Sequence, residues 1–129
     1  MEKTLNQTEV HKKGLEYVTD HLRGLGWNVK AEPRASKGIN IRAEQGSRRI
    51  TIQVKSLTAT GPRGSRTGLG KNFTGFTDFV IVCRGVKKEP ECFILTRDEV
   101  NHWKVLRPGG QYFLNDFAQE SFREKWGTL

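Results

Sequence analysis

The chain has 129 residues, and its 22 lysines and arginines outnumber its 14 aspartates and glutamates, which gives a net charge of +8. This length suits a single domain over residues 1–129 that buries a core without a metal or disulfide staple. No apolar run approaches the ~20 residues of a membrane span, and the N-terminus lacks the apolar core of a signal peptide, so we expect a cytoplasmic protein with no membrane partner. Two cysteines outside any CxxC pair and three scattered histidines argue against a disulfide scaffold and a zinc site.

The first half of the sequence predicts a helix followed by three strands. Leucine and valine recur at helical spacing over residues 6–25, with Asn6 as the N-cap and Gly26 directly after the last turn. Apolar and polar residues then alternate in three short segments, which are 27–31, 39–43 and 50–55. Because such alternation is typical of half-buried strands, and a glycine-containing turn separates the last two segments, we expect those two to form a hairpin.

The second half predicts a loop, two strands and two helices. Residues 56–77 contain five glycines and three basic side chains without a helical or strand period, which indicates a basic loop. The apolar run 79–83 suits a central strand buried on both faces, with 92–95 as its neighbour. A capping box at Thr96 predicts a short helix, and a further helix is expected from Asp116. This order predicts an α/β (α+β) fold with a central mixed β-sheet flanked by helices.

The positive charge is concentrated in one part of the sequence. From Lys30 to Lys71 there are ten basic residues and two acidic ones, whereas the rest of the chain holds twelve of each. Such a segment is typical of polyanion binding, because neutralising phosphates releases condensed counterions. We expect a nucleic acid, with DNA favoured, although a solvated basic face without a partner gives the same pattern. The candidate contacts are Lys37, Arg42, Arg63, Arg66, Lys71 and Phe73, whose ring can stack on unpaired bases.

Polar side chains on the two hairpin strands are the candidates for chemistry. Asn40 opens one strand, and Gln53 and Lys55 lie on the other, so all three can point to the same side, away from the core. A lysine held among amide oxygens can polarise a water for attack on a phosphodiester, provided that a divalent ion shares the site.

The motifs Gly38-Ile39-Asn40-Ile41 and Gln53-Val54-Lys55, in this order and on a hairpin, resemble those of the PD-(D/E)XK nuclease superfamily. The resemblance covers roughly residues 8–100. It implies a restriction-endonuclease-like core and a DNA endonuclease in which residue 40 and Gln53 hold Mg²⁺ (or Mn²⁺) and Lys55 orients or activates the attacking water. It also implies an assisting acid on the first helix, for which Glu16 is the candidate by position. A homodimer stays open, because many such nucleases pair to cut two strands.

The main departure from the superfamily pattern is Asn40, which stands where that pattern has aspartate. Three explanations fit: an aspartate replaced by the isosteric amide to silence cleavage, a naturally inactive relative that binds nucleic acid, or an active enzyme with a displaced ligand such as Glu16 or Glu32. The functional hypotheses are therefore a DNA-binding endonuclease-type protein and a catalytically inactive nucleic-acid-binding module on the same fold. A third is an interaction subunit whose basic face meets an acidic protein.

Overall fold

The computed structural model describes residues 6–36, 38–59, 67–70, 75, 77–115 and 117–129, and the side chains of residues 33–36 and 70 lie outside this description. Within it, the chain forms two α-helices, eight strands and a short 3₁₀ helix. Their bounds, in chain order, are α1 Gln7–Gly24, β1 Asn28–Ser36, β2 Ile39–Gln45, β3 Arg48–Ser56, β4 Thr67–Gly70, β5 Phe79–Arg84, β6 Glu91–Thr96, α2 Arg97–Trp103, β7 Lys104–Arg107, β8 Gln111–Leu114 and the 3₁₀ helix Trp126–Thr128.

Helix α1 begins and ends at the residues that the sequence predicted. The Asn6 Oδ1 accepts a hydrogen bond of 2.8 Å from the Glu9 backbone N–H, which satisfies one of the free donors of the first turn. At the other end, Gly26 has a φ of +91°, a left-handed conformation that glycine adopts without steric cost. The buried face consists of Val10, Gly14, Leu15, Val18, Thr19 and Leu22. Neither described helix combines the length and apolar character needed to cross a membrane.

The main sheet has five strands in the order β1-β2-β3-β5-β6. All neighbours run antiparallel except β3 and β5, which are parallel. The β2–β3 hairpin pairs Ile41 with Ile52 and Ala43 with Ile50, as the alternation predicted. A mixed sheet flanked by helices is thus the observed architecture, and the predicted fold class is confirmed.

Apolar cores lie on both faces of this sheet. One core lies between the sheet and α1 and includes Ile81 and Cys83 of β5. The other lies beneath α2 and a second, smaller sheet, and it includes Val80 and Val82 of the same strand. Because the side chains of β5 alternate between two cores, its residues 79–83 are buried throughout, and the prediction of a central strand buried on both faces is confirmed.

The second sheet has three strands in the order β4-β8-β7, and the sequence predicted none of them. Strand β4 lies inside the segment 56–77 that was expected to be loop. It pairs Thr67 with Leu114 of β8 and buries the side chains of Thr67 and Leu69. With glycine at two of its four positions, β4 shows no apolar alternation in the sequence, so its pairing depends on partners about 45 residues away in the chain.

The predicted C-terminal helix from residue 116 is wrong within the described range 117–129. The chain there runs along the edge of β6, where Ile94 donates its N–H to the Phe122 carbonyl and Glu124 donates its N–H to the Cys92 carbonyl. This path lets Phe122 enter one core and Trp126 the other, on opposite faces of the main sheet. In a helix, Phe122 and Trp126 would lie on the same face and could not enter both cores. Pairing with β6 therefore takes the place of the predicted helix.

Candidate functional site

Strands β2 and β3 bring Asn40, Gln53 and Lys55 together at one end of their hairpin. The register that pairs Ile41 with Ile52 brings the next positions, Asn40 and Gln53, side by side. Since Ile52 and Val54 point into the core beneath α1, Gln53 and Lys55 point to the opposite face. The convergence that the sequence predicted for these three residues is therefore present.

Asn40 differs from the expectation of an outward, solvated side chain, because it is only 3% exposed. Its Oδ1 accepts a hydrogen bond of 2.9 Å from the Val54 backbone N–H, in the middle of the Gln-Val-Lys motif. Gly38 turns the chain into β2 with a φ of +83°, and a Cβ at that position would lie 3.7 Å from the Gln53 amide. With Oδ1 committed to the backbone of β3, the part of Asn40 that remains for the pocket is its NH₂ donor.

A pocket of about 470 Å³ opens at this end of the hairpin. Its walls come from α1 (Gln7 and His11), β2 (Asn40), β3 with the residue after it (Gln53, Val54, Lys55, Ser56 and Leu57) and β4 (Thr67 and Gly68). Sequence reasoning missed the contributions of α1 and β4. The four-residue spacing of Gln7 and His11 puts both on one helical face, but only the fold shows that this face meets the site.

Lys55 supplies the positive charge of the pocket. Its side chain is half-buried, and burial lowers the pKa of its ammonium group from the ordinary value of 10.5. Among the described residues that line the pocket there is no carboxylate. A desolvated cation without a counter-charge favours an anion as ligand, since the anion restores the charged form of the lysine.

The donor set of this pocket does not fit Mg²⁺ or Mn²⁺. These ions need oxygen ligands and are usually held by carboxylates, whereas the Asn40 oxygen already accepts a backbone N–H and Gln53 offers one neutral oxygen. Over the described ranges, no three His, Cys, Asp or Glu side chains gather into a possible metal site. The prediction that Asn40 and Gln53 hold the metal finds no support in this arrangement.

The two acids considered as substitute ligands lie elsewhere. Glu16 lines a neighbouring cavity of about 560 Å³ between α1 and Ala31 of β1, which shares His11 with the pocket of Asn40, but Glu16 itself does not line that pocket. Glu32 lies 3.6 Å from Arg42 and forms an ion pair with it. Neither carboxylate is brought to Gln53 and Lys55, so the structure does not support a displaced ligand from either position.

Of the predicted nucleic-acid contacts, only Arg42 falls within the described residues. It projects from β2 on the same face as Asn40, two residues further along, with half of its side chain exposed. It does not line the pocket itself, and its role as a nucleic-acid contact stays a prediction. The other five, Lys37, Arg63, Arg66, Lys71 and Phe73, lie outside the described residues.

A polar junction borders the same face of the sheet at the other end of β3. The Asp78 carboxylate accepts a hydrogen bond of 2.8 Å from the Thr51 backbone N–H and another of 3.1 Å from the Arg97 guanidinium of α2. Arg97 also donates to the Thr77 carbonyl. These contacts tie the first residue of α2 to Thr51 of β3 and to Asp78, which directly precedes β5.

Comparisons with known proteins agree with this architecture. No protein-family model and no curated protein matches the sequence. Among solved structures, the bacterial homing endonuclease I-Ssp6803I has a similar fold, with a TM-score of 0.66, 97% of this chain and 91% of that chain covered, and 11% sequence identity. A likeness at this identity shows the fold alone. The chain thus has a fold similar to that of this endonuclease, and the pocket of Asn40, Gln53 and Lys55 lies at one end of its β2–β3 hairpin.

Proposed function

We propose that this chain is a DNA-binding protein of the endonuclease type, and that the pocket of Asn40, Gln53 and Lys55 holds a phosphate of the DNA backbone. The observation that carries the proposal is Lys55, a half-buried cation whose pocket contains no carboxylate among the residues that the structure describes. The nuclease-like fold and the net charge of +8 support the same partner.

The pocket suits a phosphate because its remaining polar groups donate hydrogen bonds. The ammonium of Lys55, the NH₂ of Asn40 and the amide of Gln53 can each donate to a phosphate oxygen. Arg42 lies on the same face and pairs with Glu32 at 3.6 Å, and its half-exposed guanidinium can also contact a neighbouring phosphate. The arrangement binds and positions a phosphodiester, and nothing in its donor set supplies the metal charge that hydrolysis by the PD-(D/E)XK chemistry requires.

Binding to a fluorescently labelled duplex of about 30 base pairs tests this proposal. We expect anisotropy titrations to give an affinity that falls steeply with salt, with a slope of about −0.9 for each phosphate neutralised. Lys55→Met removes one contact, so the slope should flatten by about 0.9 and the affinity should fall about 10- to 100-fold, from roughly 1.5–3 kcal/mol for a hydrogen bond to a charged group.

Lys125→Met is the matched control, because Lys125 is exposed and lies in the segment beyond β6, at the far side of the main sheet from β3. It should leave both the slope and the affinity close to those of the wild type if Lys55 contributes more than bulk charge. Equal effects of the two substitutions would reject the phosphate pocket, and undetectable or salt-independent DNA binding would reject the proposed function.

A second candidate is an endonuclease whose metal-dependent cleavage is silenced by asparagine at position 40. It is favoured by the convergence of residue 40, Gln53 and Lys55 on a fold shared with a homing endonuclease. We expect Asn40→Asp to gain Mg²⁺- or Mn²⁺-dependent nicking of plasmid, because an aspartate keeps the bond to Val54 and turns a carboxylate oxygen toward the pocket. The double variant with Lys55→Met is the inactive control. Nicking alone indicates single copies, linear product indicates a working homodimer, and an inert Asn40→Asp protein excludes this candidate.

A further inference from the structure

Exposed apolar side chains cluster where α2 ends and β7 begins. Among the described residues, three of the four large hydrophobic side chains that are exposed lie within four consecutive positions, with Trp103 at 37%, Val105 at 39% and Leu106 at 59% exposure. Isolated exposed hydrophobics are ordinary, but a cluster on an edge strand marks a surface that meets a partner.

The β7–β8 hairpin extends from the wall of the pocket. In the second sheet β4 is one edge and β7 the other, with β8 between them. Thr67 and Gly68 of β4 line the pocket of Lys55, so the exposed edge of β7 lies two strand spacings, roughly 10 Å, from that wall. A molecule long enough to continue from the pocket along this sheet reaches the hairpin.

The charge of the hairpin favours a polyanion over a second copy of the chain. Lys104 and Arg107 frame β7, and no acidic residue occurs between Val100 and Asn115. An antiparallel pairing of β7 with itself, centred on its four residues, would set Lys104 opposite Arg107 of the other copy. Two like charges directly opposite destabilise such a pair, whereas DNA phosphates neutralise both.

We propose that the β7–β8 hairpin enters the major groove of the DNA whose phosphate the pocket holds. This inference rests on the proposed function. Because β8 also pairs with β4, the hairpin enters the groove by its β7 edge and its turn. There Arg107 can contact a phosphate or a guanine edge, and Leu106 can contact thymine methyl groups. The turn at Gly109 and Gly110, whose φ values are +94° and +79°, keeps the tip of the hairpin narrow.

Affinity cleavage from position 106 tests this placement. The chain has two cysteines, Cys83 and Cys92, and both are fully buried, so Leu106→Cys provides a single accessible thiol for an iron–EDTA reagent. Thr128→Cys is the control, because Thr128 is exposed next to Trp126, which packs in the core on the α1 side of the main sheet. The probe is an end-labelled duplex of about 30 base pairs, and binding of each conjugate is first verified by anisotropy.

We expect the Leu106→Cys conjugate to cleave the bound duplex with the strand offset of a major-groove reagent, and the Thr128→Cys conjugate to leave it intact. Arg107→Ala should also flatten the salt slope by about 0.9 and weaken binding, whereas Leu106→Ser should weaken binding without changing the slope. A conjugate at position 106 that binds DNA but does not cleave it, or a minor-groove offset, overturns the inference and leaves the proposed function standing. If Lys55→Met leaves the salt slope of DNA binding unchanged from that of the wild type, the proposed function is overturned instead.

Discussion

Replacing Lys55 with methionine should make the protein more stable while it weakens DNA binding. Burial disfavours the charged form of Lys55, which is why its pKa lies below the ordinary value of 10.5. The free energy of that desolvation is recovered when an uncharged side chain of similar length occupies the same position. We expect the free energy of unfolding to rise by about 1 kcal/mol, within the range found when a residue kept for function is replaced by one that suits the fold.

The pH dependence of this gain has a definite sign. Because the folded state holds the Lys55 proton less tightly than the unfolded state, the cost of burying the ammonium is fully present below the lowered pKa. As the pH rises from that value toward 10.5, the folded protein releases the proton first and its stability rises relative to Lys55→Met. The difference between the two proteins should therefore shrink across this window and become constant above it.

Urea denaturation of both proteins at a series of pH values, with tryptophan fluorescence as the signal, measures this difference. Trp27 and Trp126 are buried in the core beneath α1, so unfolding changes their environment. Lys125→Met is again the control and should stay within about 0.5 kcal/mol of the wild type, as surface substitutions usually do. A Lys55→Met protein that is less stable at neutral pH, or a stability difference that is the same at every pH, would refute the description of Lys55 as an uncompensated buried cation.

Two further substitutions probe the packing around the pocket. A Cβ at Gly14 would overlap the Ser56 hydroxyl where α1 crosses the end of β3, so Gly14→Ala should lower the free energy of unfolding by about 1–3 kcal/mol. Gly24 has nothing near the position of a Cβ, so Gly24→Ala should raise the free energy of unfolding by about 0.4–1 kcal/mol. Urea denaturation of the two variants checks both expectations. Asp78→Ala leaves the Thr51 N–H without its acceptor and should cost about 1–3 kcal/mol, while the exposed Asp20→Ala should be near neutral in the same assay.

The parts of the fold that are predictable from the sequence are those that local patterns determine. The caps of α1 at Asn6 and Gly26 depend on neighbours three or four residues away, and the β2–β3 hairpin follows from alternation on both sides of a glycine turn. The central strand 79–83 is recognisable because burial on both faces requires an unbroken apolar run. In each case the residues that specify the element lie within the element itself.

The parts that the sequence does not reveal depend on distant partners. Strand β4 forms because Thr67 pairs with Leu114 of β8, and the local sequence of β4, with two glycines in four residues, does not predict that pairing. The C-terminal segment has helical spacing of phenylalanine and tryptophan, but Phe122 and Trp126 enter cores on opposite faces of the sheet. The segment instead forms backbone hydrogen bonds with the edge of β6, and this pairing outweighs the local preference for a helix.

The same division applies to the candidate site. Its members Asn40, Gln53 and Lys55 follow from motif spacing on a hairpin, because register alone brings them together. Their chemical roles do not follow from spacing, since the Oδ1 of Asn40 is taken by the N–H of Val54 and its NH₂ group is what faces the pocket. Spacing identifies which side chains meet, but hydrogen-bond direction decides whether they meet a cation or an anion.

If the pocket binds phosphate as proposed, a single atom at residue 40 determines which ion it selects. With asparagine, the Oδ1 binds the strand and the NH₂ group joins Lys55 as a donor, so the pocket favours phosphate oxygens. With aspartate, the same bond to the strand is kept, the second carboxylate oxygen replaces the NH₂ group, and the pKa of the neighbouring lysine rises. Added Mg²⁺ should then act in opposite directions: it should weaken DNA binding by the asparagine protein through competition for phosphates, and strengthen binding by Asn40→Asp, where the metal bridges carboxylate and phosphate. Parallel titrations that respond to Mg²⁺ in the same direction would show that residue 40 does not control the ion preference of the pocket.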